Sequence, residues 1–346
     1  MLQLKIEAIR PDAPDTATFF LSNVNGIKTG YKAGQFITLV FNHHNEELRR
    51  SYSLSSTPDD DLLAITVKRV PNGELSRFLL MHSRVGDIWN AEEPAGRFIT
   101  NSFDEEKDIF FFAAGSGITP IFSQIKYILS RPGKSRLVLI YSNRNIAAIL
   151  FKKELEELLK QYPQRLTIIH LLSDNAQRLN NVTAEQLVRK HTRYELQKAR
   201  FYLCGPFSYM RMVRLTLIYM GIMANQIRKE NFVLDTVAVG GPKTGFAPRK
   251  LQIIFAGETH DITAGENQSI LQAALQNHIP LPYSCRAGIC STCAAKCTRG
   301  KVTITENDVL TDADLAEGWV LTCTGYAVTD DVVIDLPHPT LPEREG

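Results

Sequence analysis

Pro282 to Cys297 reads PYSCRAGICSTCAAKC, and the placing of its cysteines decides the fold of the C-terminal part of the chain. Cys285, Cys290 and Cys293 stand in the pattern C-x4-C-x2-C, and Cys323 follows after 29 intervening residues. Two irons need four thiolates, and this three-and-one spacing is the one that holds a [2Fe–2S] cluster. Three ligands from a single loop can surround a cluster only if the backbone bends tightly, which Gly288 permits. The small neighbours Ala287, Ser291 and Thr292 let backbone amides approach the sulfurs. The alternative, a tetrahedral zinc site, usually draws on two CxxC-type pairs. Cys297 lies outside the pattern and reads as a small packed residue before it reads as a substitute ligand.

Five of the six cysteines fall between Cys285 and Cys323. Disulfide scaffolds are short and usually secreted, so this clustering points to a redox or metal site in a cytoplasmic protein. At 346 residues and 44% hydrophobic the chain is too long for one core, and two or three domains are expected. Charge is nearly balanced, with 39 basic and 37 acidic side chains, which excludes a general nucleic-acid binder. Lys5, Glu7 and Arg10 interrupt the N-terminus where a signal peptide needs an apolar run. The most apolar stretch, Ile109 to Leu129, is broken by Gly115, Ser116, Gly117, Gln124 and Lys126, so no membrane insertion is predicted.

Up to about residue 100 the apolar runs are short and rich in β-branched or aromatic residues: Thr16 to Leu21, Phe36 to Phe41, Leu62 to Val67. Asn25-Gly26, Pro58-Asp59 and Asn72-Gly73 separate such runs, a spacing that predicts an antiparallel β-barrel or sandwich with little helix. His43 and His44 read as part of a polar loop, since a pair of histidines is too few ligands for a metal. From Asp108 the runs Ile109 to Ala113, Leu137 to Tyr141, Leu166 to Leu172 and Arg200 to Cys204 are continuous and alternate with helical patterns, which predicts an α/β domain on a parallel sheet. Phe151, Leu155, Leu158, Leu159 and Tyr162 mark one such helix, stopped by Pro163. Val237 to Arg249 is Gly/Pro-rich and reads as a connector. Beyond it come a hairpin about Ala256 to Thr259 and a short helix, Ser269 to Asn277, and the chain closes in a loose tail from about residue 340.

Arg50-Ser51-Tyr52-Ser53 offers an arginine for a diphosphate, an aromatic for a planar ring and a hydroxyl for a ring nitrogen, all on one strand. It follows Gly34-Gln35-Phe36 and precedes Val67-Lys68 and the expected anion-binding turn Gly73-x-x-Ser76. Gly115-Ser116-Gly117-Ile118-Thr119-Pro120 comes directly after a strand and before a helix, where glycines let a diphosphate reach the helix N-terminus. Pro120 stands where the dinucleotide fingerprint has its third glycine.

These ordered motifs, with Cys204-Gly205-Pro206 and Glu230-x-Phe232, resemble the ferredoxin–NADP reductase superfamily. Residues 250–339 resemble a plant-type ferredoxin domain. The resemblance implies an antiparallel flavin β-barrel over 1–104, an α/β nicotinamide-binding domain over 105–235, a linker over 236–249 and a β-grasp ferredoxin domain. It implies that Arg50, Ser51, Tyr52, Ser53, Val67, Lys68, Gly73 and Ser76 bind FAD in preference to FMN, and that Phe232 faces the flavin. Gly115, Gly117, Thr119, Pro120, Gly205 and Pro206 are then expected to bind NADH or NADPH. Ser53 and Cys204 would lie nearest the transferred hydride, and Cys285, Cys290, Cys293 and Cys323 would hold the cluster.

That domain order is found in reductases of multicomponent oxygenases, and ELRRSYSLSS, ITVKRVPNGELSRFL and AAGSGITP are most similar to the reductase family of phenylacetyl-CoA epoxidase, which implies a role in aromatic catabolism. The electron acceptor is then an oxygenase, or alternatively a desaturase; a redox sensor without turnover is the reading from another class. Asp174, which follows the strand Leu166 to Leu172, would accept from a ribose 2′-hydroxyl and repel a 2′-phosphate, which favours NADH, although Arg144 and Arg178 could reach a phosphate. From Lys250 onward there are 6 basic and 13 acidic residues, net −7, against net +9 for the preceding part. Asp308, Asp312, Asp314 and Glu317 are expected to form an acidic face toward a basic partner.

Overall fold

The computed structural model describes residues 1–43, 46–70, 73–100, 104–232 and 245–336. His44, Asn72, the connector through Thr244 and the tail beyond Leu336 lie outside the described residues. The chain forms two compact units, Met1–Val233 and Leu234–Gly346.

In the first unit, β1 (Leu2–Ala13), β2 (Thr16–Asn23), β3 (Phe36–His43), β4 (Glu46–Ser53), β5 (Leu63–Lys68) and β6 (Ile88–Ala91) form an antiparallel sheet in the order β4-β3-β6-β1-β2-β5. Its two edge strands meet at the Leu54–Ile65 bridge, which closes the sheet on itself. Alternation sets the faces: Ala17, Phe19 and Leu21 of β2 and Leu63, Ile65 and Val67 of β5 fill the barrel core with Leu4, Ile6, Ile37 and Trp89. Thr18 and Thr66 pair across β2 and β5 on the opposite face. Leu75 and Leu79 of α1 (Glu74–His82) cap the core. The turn expected at Gly73 to Ser76 is therefore the start of a helix: Gly73 is its N-cap, and the buried Ser76 hydroxyl accepts from the Val70 amide (3.2 Å).

The remainder of this unit is a parallel sheet of β7 (Asp108–Ala114), β8 (Arg136–Asn143), β9 (Leu166–Leu172), β10 (Arg200–Cys204) and β11 (Ile227–Glu230) in the order β11-β10-β7-β8-β9. Ile109, Phe111 and Ala113 pack against α2 (Ile118–Leu129) and α3 (Lys152–Gln161), while Phe110 and Phe112 pack against α4 (Asn181–His191) and α5 (Phe207–Tyr219). Both faces are covered, which is why β7 reads as an unbroken apolar run. One member of the predicted α3 stripe, Leu159, turns out exposed; Phe151 and Leu155 carry the packing.

In the second unit β12 (Arg249–Phe255) and β13 (Glu258–Ala264) form the expected hairpin, followed by α6 (Ile270–Gln276) with a Ser269–Gln272 capping box. The chain continues through β14 (Ala294–Arg299), β15 (Val302–Ile304), α7 (Asp312–Ala316), β16 (Trp319–Leu321), β17 (Gly325–Ala327) and β18 (Val332–Asp335). The sheet β13-β12-β18-β14-β16 is mixed and wraps α6, whose Ile270, Leu271, Ala273 and Ala274 enter the core with Leu251, Ile253 and Ile334. This is the β-grasp arrangement. Asp314 does not belong to an acidic face: it is buried, and its carboxylate accepts from the Thr311 amide (2.8 Å) and hydroxyl (2.7 Å) to cap α7.

Candidate functional site

The first unit changes winding direction between β7 and β10, and in open parallel sheets ligands bind beyond the carboxyl ends of the strands at such a point. A cleft of about 810 Å³ opens there, walled by Ser51, Tyr52 and Ser53 of β4 and by Gly115, Gly117 and Thr119 after β7. Thr66, Lys68, Gly205, Pro206 and Phe232 also line it. Glycine is favoured by the backbone at Gly115 and required by sterics at Gly117. Gly115 takes φ +56°, and a Cβ on it would point into open space; a Cβ on Gly117 would stand 2.2 Å from the Cys204 carbonyl oxygen. That close approach locks the β7 loop onto the β10 loop.

Most of the other sequence-derived residues lie around the cleft without lining it. Arg50 is exposed and donates to its neighbour's carbonyl (2.7 Å). Val67 is in the barrel core, and Pro120 is buried in the first turn of α2. Gly73 and Ser76 start α1. Asp174 is half-exposed, bonded by Asn145 (3.2 Å) and 3.7 Å from Arg144, while Arg144 and Arg178 themselves line the cleft. Cys204 is fully buried, and Glu230 pairs with it across β10 and β11. The strand β11 itself was not foreseen, because IRKE carries only one strongly apolar residue and lies at the sheet edge.

Burial pushes the Glu230 carboxyl up to about 8, and burial together with Glu230 pushes the Cys204 thiol up as well. Both groups are therefore neutral at pH 7. Because the folded carboxyl titrates above its ordinary 4.5, the folded state holds a proton that the unfolded chain releases between roughly pH 4.5 and 8. Stability from this group is present below that window and falls through it, by on the order of a few kcal/mol. Denaturant titrations at pH 5, 6.5 and 8 should show this decline, and Glu230→Gln should flatten it; an equal slope in the variant would refute the assignment.

The residues fit a flavin and a nicotinamide dinucleotide. Lys68, Arg69, Arg144 and Arg178 line the cleft and no carboxylate does among the described residues, a field suited to diphosphates. Phe232, 41% exposed, adds a second aromatic surface to the cleft besides Tyr52.

The second unit gathers the four cysteines of the sequence pattern. Cys285 and Cys290 sulfurs are 3.1 Å apart, and the Cys323 thiol bonds to both Cys285 and Cys293. Those bonds, with the Ala287 and Ile289 amides, lower the Cys285 thiol and raise those of Cys290 and Cys323, so the four sulfurs share their protons as one group. Gly288 takes φ +71°, and a Cβ there would meet the Glu306 carbonyl oxygen at 2.3 Å. The Gly288 carbonyl in turn accepts from the Asp308 amide (2.9 Å). Donor thiolates with amides aimed at sulfur are what an iron–sulfur cluster requires. Cys297 is elsewhere, its thiol donating to the Arg299 carbonyl (3.2 Å).

Comparison with known families agrees with this division. The family described as an oxidoreductase FAD-binding domain matches residues 4–99, the oxidoreductase NAD-binding domain matches 111–215, and the 2Fe-2S iron-sulfur cluster binding domain matches 253–328. The last match decides for the cluster over zinc. The ferredoxin reductase component of 3-ketosteroid-9-alpha-monooxygenase from Rhodococcus rhodochrous is 32% identical, with 96% of each chain covered. The chain belongs to the ferredoxin reductase components of oxygenase systems. A subunit of 1,2-phenylacetyl-CoA epoxidase from Escherichia coli (strain K12) is 29% identical, again over 96% of each chain. Among solved structures, phthalate dioxygenase reductase superposes with a TM-score of 0.59 at 23% identity, over 97% of this chain and 98% of that one. This reductase component shares that fold. No helix among its described residues is long and apolar enough to cross a membrane.

Proposed function

We propose that this reductase component takes a hydride from NADH into the cleft of the first unit and delivers single electrons, through the cluster held by Cys285, Cys290, Cys293 and Cys323, to an oxygenase of phenylacetyl-CoA epoxidase type. The observation that supports the electron route is the presence in one chain of the cationic cleft and the thiolate set. When bound, the flavin converts a two-electron donor into a one-electron supply, which the cluster needs. The chain's own part is placement: Tyr52 and Ser53 form one wall of the cleft, and Gly117 fixes the opposite loop against β10. Cys204 and Glu230 lie buried behind that loop as neutral groups, so neither adds a charge there. The choice of oxygenase rests on the motif resemblance, and reconstitution tests it. Product formation with purified phenylacetyl-CoA epoxidase oxygenase subunits should exceed that with the oxygenase component of a 3-ketosteroid monooxygenase; the reverse order would reassign the partner.

The NADH preference has a structural argument in the Arg144–Asp174 pair. The carboxylate partly neutralises a cation that would otherwise meet a 2′-phosphate. Asp174→Asn should therefore shift the NADPH/NADH ratio of kcat/KM toward NADPH by about fivefold, the size expected of an exposed pair. An unchanged ratio would remove Asp174 from donor selection.

Delivery to the oxygenase should slow more than hydride transfer to the flavin as ionic strength rises, because Asp312 and Glu317 stay exposed on the acidic unit. Stopped-flow comparison of the two steps at low and high salt checks this, and salt-independent delivery would count against an electrostatic partner face.

A further inference from the structure

A line of hydrogen-bonded side chains runs from the cleft to a nearly buried carboxylate, and none of the motifs accounts for it. Thr66 lines the cleft, and its hydroxyl lies 2.6 Å from that of Thr18 on the neighbouring strand. The Thr18 hydroxyl donates to Asp12 Oδ2, and Arg10 donates to Asp12 Oδ1 (2.9 Å). Thr66 and Thr18 are 6% and 1% exposed, and the Asp12 side chain is 6% exposed.

Counting hydrogens fixes the direction of this line. An ionised carboxylate only accepts, and a hydroxyl has one hydrogen. Thr18 spends its hydrogen on Asp12, so the short contact to Thr66 can be made only by the Thr66 hydrogen. Ser55 has a backbone acceptor of its own in the Ala64 carbonyl (3.2 Å), closer than its 3.3 Å contact to Thr66. Thr66 is left with lone pairs and no hydrogen to give.

We propose that Asp12 and Thr18 are positioning residues that make the Thr66 hydroxyl oxygen a dedicated acceptor in the cleft, for an amide or imide N–H of a bound ligand. The inference rests on the reading that the cleft takes a flavin and a nicotinamide, both of which carry such a group. A chain isolated without flavin, and unable to take it up, would overturn that reading first; a chain that binds flavin with unaltered constants in the variants would overturn only the role of Thr66.

The test is a binding comparison on the full-length chain, with flavin removed and titrated back by fluorescence, alongside the KM for NADH on the flavin-loaded protein. Thr66→Val keeps the shape and removes the acceptor, so one of the two constants should rise about tenfold, the weight of one buried hydrogen bond. A rise in the flavin dissociation constant assigns the N–H to the flavin, and a rise in KM alone assigns it to the nicotinamide carboxamide. Thr66→Ser should restore the wild-type value. Asp12→Asn is the decisive variant, because an asparagine amide can donate to Thr18, reverse the line and turn Thr66 into a donor. It should weaken the same constant although Asp12 does not line the cleft. Wild-type constants in Thr66→Val, a serine variant as weak as the valine one, or an Asp12→Asn protein with unchanged constants and melting temperature would each overturn the proposal.

Discussion

Cys290→Ser should leave a protein that is still reduced by NADH but passes nothing on. The Cys290 sulfur is 3.1 Å from that of Cys285 and belongs to the set of four that the cluster needs. A serine oxygen is a harder, far less acidic ligand, and the three remaining thiolates cannot complete a binuclear site. The cluster absorption and its reduced-state paramagnetic signal should disappear, and electron delivery to an oxygenase should fall to background. Flavin reduction should keep its wild-type rate, because the cleft is built wholly from the other compact unit. A parallel loss of flavin reduction would show that the units do not fold independently. Cys297→Ser is the internal control: its thiol bonds to a carbonyl in its own strand, and the cluster should survive.

Gly117→Ala should be nearly as damaging to the other end of the electron path, and for a purely steric reason. Gly117 sits at φ −60°, a backbone that alanine adopts freely, so conformational strain is not the issue. The added methyl would stand 2.2 Å from the Cys204 oxygen and 2.9 Å from the Gly205 nitrogen, and backbone cannot swing aside as a flexible side chain can. The two loops that meet at this point of the cleft must then move apart. A displacement near 1 Å in such a site costs about 100-fold in rate. Flavin reduction by NADH should fall by about that factor in stopped flow while flavin content is retained. Gly115→Ala makes a useful contrast, since it carries the strain of φ +56° but meets no atom within 4 Å, and its effect should be milder. If the two variants behave alike, the loop contact is not what matters.

Much of this molecule can be read from its sequence, and each part that cannot has its own physical cause. The cysteine spacing needs no tertiary information, because three of the four ligands are local. Continuous apolar runs report a parallel sheet covered on both faces, and β7 through β10 were legible on that ground. Strand β11 was not, since Ile227, Arg228, Lys229 and Glu230 include a single apolar residue and so show no apolar run. Asp314 is a different kind of miss. Thr311-x-x-Asp314 is a readable capping pattern, and counting charge without asking which carboxylates are already engaged placed it on a surface it does not occupy. The Asp12, Thr18 and Thr66 line is beyond sequence reading altogether: it exists only because the register of β2 and β5 sets Thr18 opposite Thr66.

The Gly288 contacts also constrain how this protein is made. The bend that shapes the cysteine loop is held by Glu306 and Asp308, which are synthesised after it, and the fourth sulfur arrives later still at Cys323. A nascent chain that has emerged only as far as Cys293 has three of the four thiols and lacks the Asp308 amide that bonds the Gly288 carbonyl. The complete ligand set therefore exists only after translation has passed Cys323, whereas every residue that lines the cleft is encoded upstream of it.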